Sequence, residues 1–262
     1  MPDIAIDKRA IAQSFGLAAP KYDSAAHFQR WVGRKLLDLL PQRRFLRVLD
    51  LGTGTGYFLE PLRHAHSPEL ICGVDLSEGM VRHIADANSG PTQLVVGDAD
   101  MLPFQANSFD LVYSSLAIQW CYRLPQLFDE ISRILAPNGL FGFSTLLNGS
   151  LMELKEAWGN VDQSQHVNDF FELKDYAVAI DGAALSVHSL TERPKILEYE
   201  NALDLSRELK TLGAHNMTQH RNKGLTGKAR VKAFVQNYEG MRMATGYLPA
   251  TYQVGFGLVE KG

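Results

Sequence analysis

Five short apolar runs, separated by stretches of helical period, constrain this chain more than any other feature. They occupy 47–51 (RVLDL), 70–75 (LICGVD), 92–97 (TQLVVG), 109–114 (FDLVYS) and 139–147 (GLFGFSTLL). Each is bounded by Gly, Pro, Asp or Asn and is apolar nearly throughout rather than alternating, the pattern of strands buried on both faces. Strands of that kind joined by helices predict a parallel sheet covered on both sides. Between them, Ser77 opens one helix and Pro125 another (PQLFDEISRIL), which is expected to stop at Pro137–Asn138–Gly139. Upstream, Phe28, Trp31, Val32, Lys35, Leu36 and Leu39 recur at helical spacing over 27–40, and Pro41 ends the pattern.

After residue 147 the rhythm changes. Helical patterns at 150–161 and 169–180 precede a strand at 184–190 and a second short strand at 196–199. Helices then follow at 202–212 and 226–243, and a last strand at 252–259 (YQVGFGLV). We read a single domain over 1–262, with N-terminal helices at 1–40 and a ligand-binding core at 41–147. Helical insertions at 148–183 and 201–245 read as a lid, and 184–200 and 246–262 supply the last strands. Composition narrows the class without naming it. The 262 residues are 45% hydrophobic and 21% charged, those of an ordinary globular protein. A net charge of −3 argues against a nucleic-acid-coating or polybasic membrane-surface protein. Cys72 and Cys121 make neither a disulfide framework nor a four-cysteine zinc site, and the eight histidines show no H-E-x-x-H pairing. The first ten residues lack an apolar h-region, so a cytoplasmic, metal-free enzyme is expected.

The segment VLDLGTGTG at 48–56 carries the most chemistry. A strand running into G-x-G-x-G lets backbone amides and a helix N-terminus approach a ligand closely. Asp75 ends the next strand, 23 residues beyond Gly52, where a carboxylate accepts hydrogen bonds from ribose hydroxyls. Asp98 ends the third, next to Ala99, within reach of an adenine amino group. A dinucleotide dehydrogenase needs G-x-G-x-x-G, whereas Gly52, Gly54 and Gly56 are followed by Tyr57 and Phe58. Asp50 beside the turn would repel a pyrophosphate and suits the ammonium of a methionine moiety. The constellation therefore favours S-adenosylmethionine (SAM) over NAD.

These segments, with LAPNG at 135–139, resemble the motif series of class I SAM-dependent methyltransferases, with Thr53 standing where many members carry Cys. The resemblance implies a Rossmann-like, doubly wound, seven-stranded α/β sheet with helical lid insertions. It assigns cofactor contacts to Phe15, Tyr22, Gln29, Asp50, Gly52, Thr53, Gly54, Gly56, Asp75, Leu76, Met80, Asp98, Ala99 and Ser115, with S-adenosylhomocysteine as the product.

Three further segments are similar to one family, the malonyl-acyl-carrier-protein O-methyltransferases of biotin synthesis. They are IAQSFGLAAPKY at 11–22, SSLAIQW at 114–120, and LKTLGAHN at 209–216 with GLTG at 224–227. This resemblance implies methyl transfer to the free carboxylate of a malonyl thioester on an acidic acyl carrier protein, without nucleic acid or membrane. Arg30, Gln119, Lys210 and Asn216 become substrate-binding candidates and Tyr22, Gln119 and Trp120 positioning candidates, with no certain catalytic residue. The residues themselves do not choose which side chain orients the malonyl carboxylate. Residues 205–232 hold seven basic side chains against one acidic, Glu208, so Arg207, Arg221, Lys223, Lys228 and Arg230 are read as carrier-docking. Blander readings accompany each: Phe15 and Tyr22 as a helix face, Trp120 as core, the basic run as a solvated surface. Another class I methyltransferase of small carboxylic acids or quinones, or a non-catalytic SAM binder, shares 11–147 but need not share 209–227.

Overall fold

The computed structural model of the chain describes residues 7–87, 92–214 and 227–262. The five apolar runs form β1 (Arg47–Leu51), β2 (Leu70–Asp75), β3 (Gln93–Val96), β4 (Phe109–Ser115) and β5 (Leu135–Leu146). With β6 (Leu185–Tyr199) and β7 (Leu248–Lys261) they make one sheet in the order β3-β2-β1-β4-β5-β7-β6, in which β7 is antiparallel to both neighbours and the others are parallel. Chain order reverses across β1 and β4, the topological switch point at which open α/β sheets bind ligands beyond their strand ends.

Alternate residues of the central strands feed two cores. Val48, Leu111 and Leu140 face α2 (His27–Leu39) and α3 (Leu59–His66), while Leu49, Val112 and Phe141 face α5 (Leu124–Ile134) and α7 (Leu173–Gly182). In α5 the buried Leu124, Leu127, Phe128, Ile131 and Ile134 follow helical spacing, and each fully buried side chain of this kind contributes roughly 1.5–3 kcal/mol. The other helices are α1 (Lys8–Ala25), α4 (Glu78–Asp86), which joins the α2 side through Ile84, α6 (Met152–Gly159), α8 (Ala202–Thr211) and α9 (Lys228–Glu239). Leu154, Ala157, Leu205, Phe234 and Tyr238 from α6, α8 and α9 join the core on the α2 side. By contrast, α7 packs with α5 on the opposite face, so the 148–183 insertion divides between the two sides rather than forming one lid.

Two expected boundaries move for identifiable reasons. LAPNG is not a loop between α5 and β5. It begins β5, whose pairing with β4 slips between Phe109 and Leu111, so the Pro137–Asn138 segment is a bulge, with Asn138 at φ +59. The two short strands expected near 184–190 and 196–199 are one strand, β6, running through Pro194. Proline is tolerated there because β6 is the sheet edge and pairs only with β7.

Candidate active site

The turn after β1 is stitched to the end of β2, Gly52 and Thr53 both donating their backbone N–H to the Val74 carbonyl at 2.8 and 3.0 Å. Gly52 has φ +74, and a Cβ there would lie 2.2 Å from the Ala117 Cβ, so only glycine lets this turn close against the β4 loop. Gly54 has φ +56, and a Cβ there would meet nothing within 4 Å, so the turn is open to a ligand on that side. Asp75 at the end of β2 accepts from the Gly54 N–H at 2.9 Å and the Ser77 N–H at 2.8 Å, one on each carboxylate oxygen. Burial pushes its carboxyl up, and these two N–H groups offset part of that rise. Each oxygen keeps a further lone pair for a hydroxyl donor.

A cavity opens over this corner. Phe15, Tyr22, Gly52, Gly54 and Asp75 line one part of it, and Leu76, Met80, Asp98, Ala99 and Ser115 the rest. The sequence-based site residues therefore converge here, with four exceptions. Gln29 lines a second cavity instead. Thr53 and Gly56 are absent from the wall. So is Asp50, which is 3% exposed and lies beneath the turn, accepting the Thr53 hydroxyl at 2.7 Å. Burial, with a smaller contribution from Asp75, raises the Asp50 carboxyl to about 7 despite that hydrogen bond. The cradle suits an adenosyl ligand: backbone exposed by glycines, a carboxylate with spare acceptors, and flat apolar walls from Ile11, Phe15 and Met80.

Helix α1 closes the cavity. Lys8 Nζ lies 2.6 Å from Asp98 Oδ1 and 2.5 Å from Asp100 Oδ2. Burial pulls the Lys8 ammonium down, but the hydrogen bonds to Asp100 and Asp98 outweigh it, and its pKa is raised. Sequence reasoning missed Lys8, because nothing in its local spacing signals a partner 90 residues away.

The second cavity adjoins the first and shares with it Phe15, Tyr22, Leu116 and Trp120. Phe15 meets Trp120 edge to face at 5.6 Å and Tyr22 at 6.4 Å, forming the partition. Burial first, then Asp75 and Asp23, push the Tyr22 phenol up, so it stays protonated and donates near neutral pH. Leu116 holds φ +51, unusual for a branched side chain, and is fixed there by its N–H to the Ser144 carbonyl at 3.0 Å.

Beyond the partition the walls are Phe28, Leu146, Leu151, Leu154, Trp158 and Phe170, with Gln29, Gln119, His166, Asn168 and Ser206 as polar members. His166 stacks on Trp158 at 4.0 Å and bonds Asp162 Oδ1 through Nε2 at 2.9 Å. Although burial opposes it, hydrogen bonds from His166 and the Ser164 N–H hold the Asp162 carboxyl below the ordinary range. His166 is the one basic side chain among the described residues of this wall, and it too escaped sequence reasoning, because 162–168 carries no periodic pattern.

The other substrate and docking candidates lie elsewhere. Arg30 bonds the Asp23 carbonyl at 3.0 Å and covers the Tyr57 ring at 4.6 Å, in an outer groove with Arg34 and Lys35. Lys210 is exposed on α8. Arg207 pairs with Asp204, and Arg230 lies 3.5 Å from Asp162, whereas Lys228 has no ion-pair partner among the described residues. Asn216, Arg221 and Lys223 lie outside the described residues, as does 224–226 of GLTG. No group of three His, Cys, Asp or Glu among the described residues is arranged to hold a metal ion, and no helix among them is long and apolar enough to cross a membrane.

Comparison with known proteins gives this geometry relatives. A family model described as a methyltransferase domain matches residues 49–143. The biotin biosynthesis bifunctional protein BioHC of Cellvibrio japonicus is 43% identical over 95% of this chain, which spans 49% of that relative, about half its length. A malonyl-[acyl-carrier protein] O-methyltransferase of Hahella chejuensis is 37% identical, over 96% of this chain and 90% of its own. Among solved structures, the YcgJ protein of Bacillus subtilis superimposes with a TM-score of 0.64 at 16% identity, covering 88% of this chain and 98% of that one, a likeness of fold.

Proposed function

Because the chain belongs to the malonyl-[acyl-carrier protein] O-methyltransferase family, we propose that it transfers the methyl group of SAM to the free carboxylate of a malonyl thioester carried by an acyl carrier protein. The observation that carries this reading is the pair of adjoining cavities, one above the glycine turn and Asp75, the other apolar, parted only by Phe15, Tyr22, Leu116 and Trp120. A cofactor on one side and an acceptor on the other meet at that partition.

The chemistry asks little of side chains. When bound, the sulfonium cofactor supplies an activated methyl group. A carboxylate with a pKa near about 4 is already ionised at neutral pH, so no general base is required. In this reading Asp75 holds the ribose, the Gly52–Gly56 backbone with Asp50 beneath it holds the methionine end, and Asp98 with Ala99 meets the base. Asp50 acts beneath the turn by holding Thr53, and its carboxylate favours a nearby ammonium. Phe15, Tyr22 and Trp120 exclude water and bring oxygen, carbon and sulfur into line, an orientation that supplies on the order of 7–11 kcal/mol. Tyr22, protonated, donates to whichever carboxylate oxygen does not react. Lys210 and Lys228, with Arg207 and Arg230, supply positive charge offered to the carrier.

The deciding experiment incubates purified protein with labelled SAM and malonyl-loaded carrier protein, beside free malonate and malonyl-CoA. Label is expected on the carrier-bound malonyl group. Transfer to none of the three acceptors overturns the reading.

A further inference from the structure

Gln119 sits on the single 3₁₀ turn Ile118–Trp120, beside the partition, and is 7% exposed. Its Nε2 donates to the Leu116 carbonyl at 2.6 Å. That bond decides which way the amide faces, since the reversed orientation would set two acceptors against each other. The Oε1 left over is buried with no hydrogen-bond partner. Leaving a buried acceptor unpaired costs about 1–3 kcal/mol, so a cavity built around one is built for a donor. Gln29, on the α2 side of the same cavity, also has a buried Oε1 without a partner.

A carboxylate is acceptor-only and cannot satisfy either oxygen. In this arrangement Gln119 therefore does not hold the malonyl carboxylate, the role its position suggested. An ammonium is equally unsuited, because the described residues of this wall include no carboxylate to pair a buried charge. A neutral N–H group within an otherwise apolar chain fits both requirements.

We infer that Gln119, seconded by Gln29, is a binding residue for the secondary amides of a pantetheine-type arm, its side-chain oxygen accepting an amide N–H of the acceptor. The inference rests on the acceptor being a pantetheine thioester, and it makes the arm's amide a determinant of productive binding. Free malonate and simple alkyl thioesters lack that amide.

The test compares pantetheine with an analogue in which the amide nearest the sulfur is an ester, N–H replaced by O. Both are measured as unacylated ligands by calorimetry on the S-adenosylhomocysteine-loaded protein, and as malonyl thioesters in the methyl-transfer assay. Wild-type protein is expected to bind the ester analogue about 10-fold more weakly and to use it with a kcat/KM lower by a similar factor, carried mainly by KM. Gln119→Met is expected to bind both ligands with affinities within about 2-fold of each other. Gln119→Glu, whose protonated carboxyl keeps both a donor to the Leu116 carbonyl and a free oxygen, is expected to retain the preference for the amide at acid pH and guards against a folding defect in the first variant. Equal binding of amide and ester by the wild type overturns the inference and leaves Gln119 Oε1 to a buried water. A preference that survives in Gln119→Met overturns it too. Absence of methyl transfer to any malonyl thioester defeats the functional reading instead, and the calorimetric comparison still decides the role of Gln119.

Discussion

Gly16 of α1 and Gly79 of α4 meet backbone to backbone: a Cβ on Gly79 would lie 2.6 Å from the Gly16 Cα, and one on Gly16 would lie 2.8 Å from the Ser77 hydroxyl. This contact lays α1 across the cofactor cavity, to which the helix contributes Ile11, Phe15 and Tyr22. Neither glycine is in the left-handed region, so the demand is for space alone. Gly79→Ala should cost about 1–3 kcal/mol of stability through overpacking, and should weaken cofactor binding by shifting α1 outward. Thermal unfolding with and without S-adenosylhomocysteine checks this. The ligand-induced rise in Tm should shrink in the variant by more than its basal Tm falls.

Asp75→Ala should weaken SAM binding by about 1.5–3 kcal/mol, the range for hydrogen bonds to a charged group. Its two backbone partners, Gly54 and Ser77, would lose their acceptor as well. Calorimetry on folded variant protein with unchanged affinity would remove Asp75 from the cofactor site, and NAD binding of comparable strength would restore a dehydrogenase reading.

The raised carboxyl of Asp50 makes a signed prediction. With a folded value of about 7 against an ordinary 3.8, the contribution of Asp50 to stability is fully present below about pH 4. It is lost as pH rises through 7, at up to ~1.4 kcal/mol per pH unit. Ligand-free wild type should therefore lose stability relative to Asp50→Asn across that window. A cofactor ammonium near this carboxylate would ionise it. SAM binding at pH 7 should then release a fraction of a proton, read as a dependence of binding enthalpy on the buffer's ionisation heat. No such dependence would show that Asp50 only supports the turn.

Transfer to a carboxylate oxygen makes a methyl ester. The transferred label should leave as methanol under mild alkaline hydrolysis. Label that survives assigns the acceptor to carbon or nitrogen instead.

Charge reversal at exposed Lys210 and Lys228 should raise KM for the carrier-bound substrate and flatten the salt dependence of its kcat/KM, since exposed charges act chiefly on association rate and are screened within about 8 Å at physiological salt. Activity on malonyl-CoA should fall much less. Equal losses on both substrates, or none on either, would exclude this face as the docking surface.

What the sequence determined by itself is local. The five apolar runs, the positive-φ glycines after β1 and the 23-residue step to Asp75 follow from backbone sterics and the two-sided burial of parallel strands, which neighbouring residues already express. Tertiary packing decided the rest. It joined two short strands into β6 by giving Pro194 a sheet edge, and set Asp50 beneath the turn rather than on the cavity wall. It tied Lys8 to Asp98 and Asp100, and it drew Gln29, Gln119, His166 and Tyr252 around one cavity. Those four stand on α2, the 3₁₀ turn, the segment after α6 and β7. Their meeting depends on how distant helices settle against the sheet, a balance of packing and desolvation over the whole chain that no local window of sequence contains.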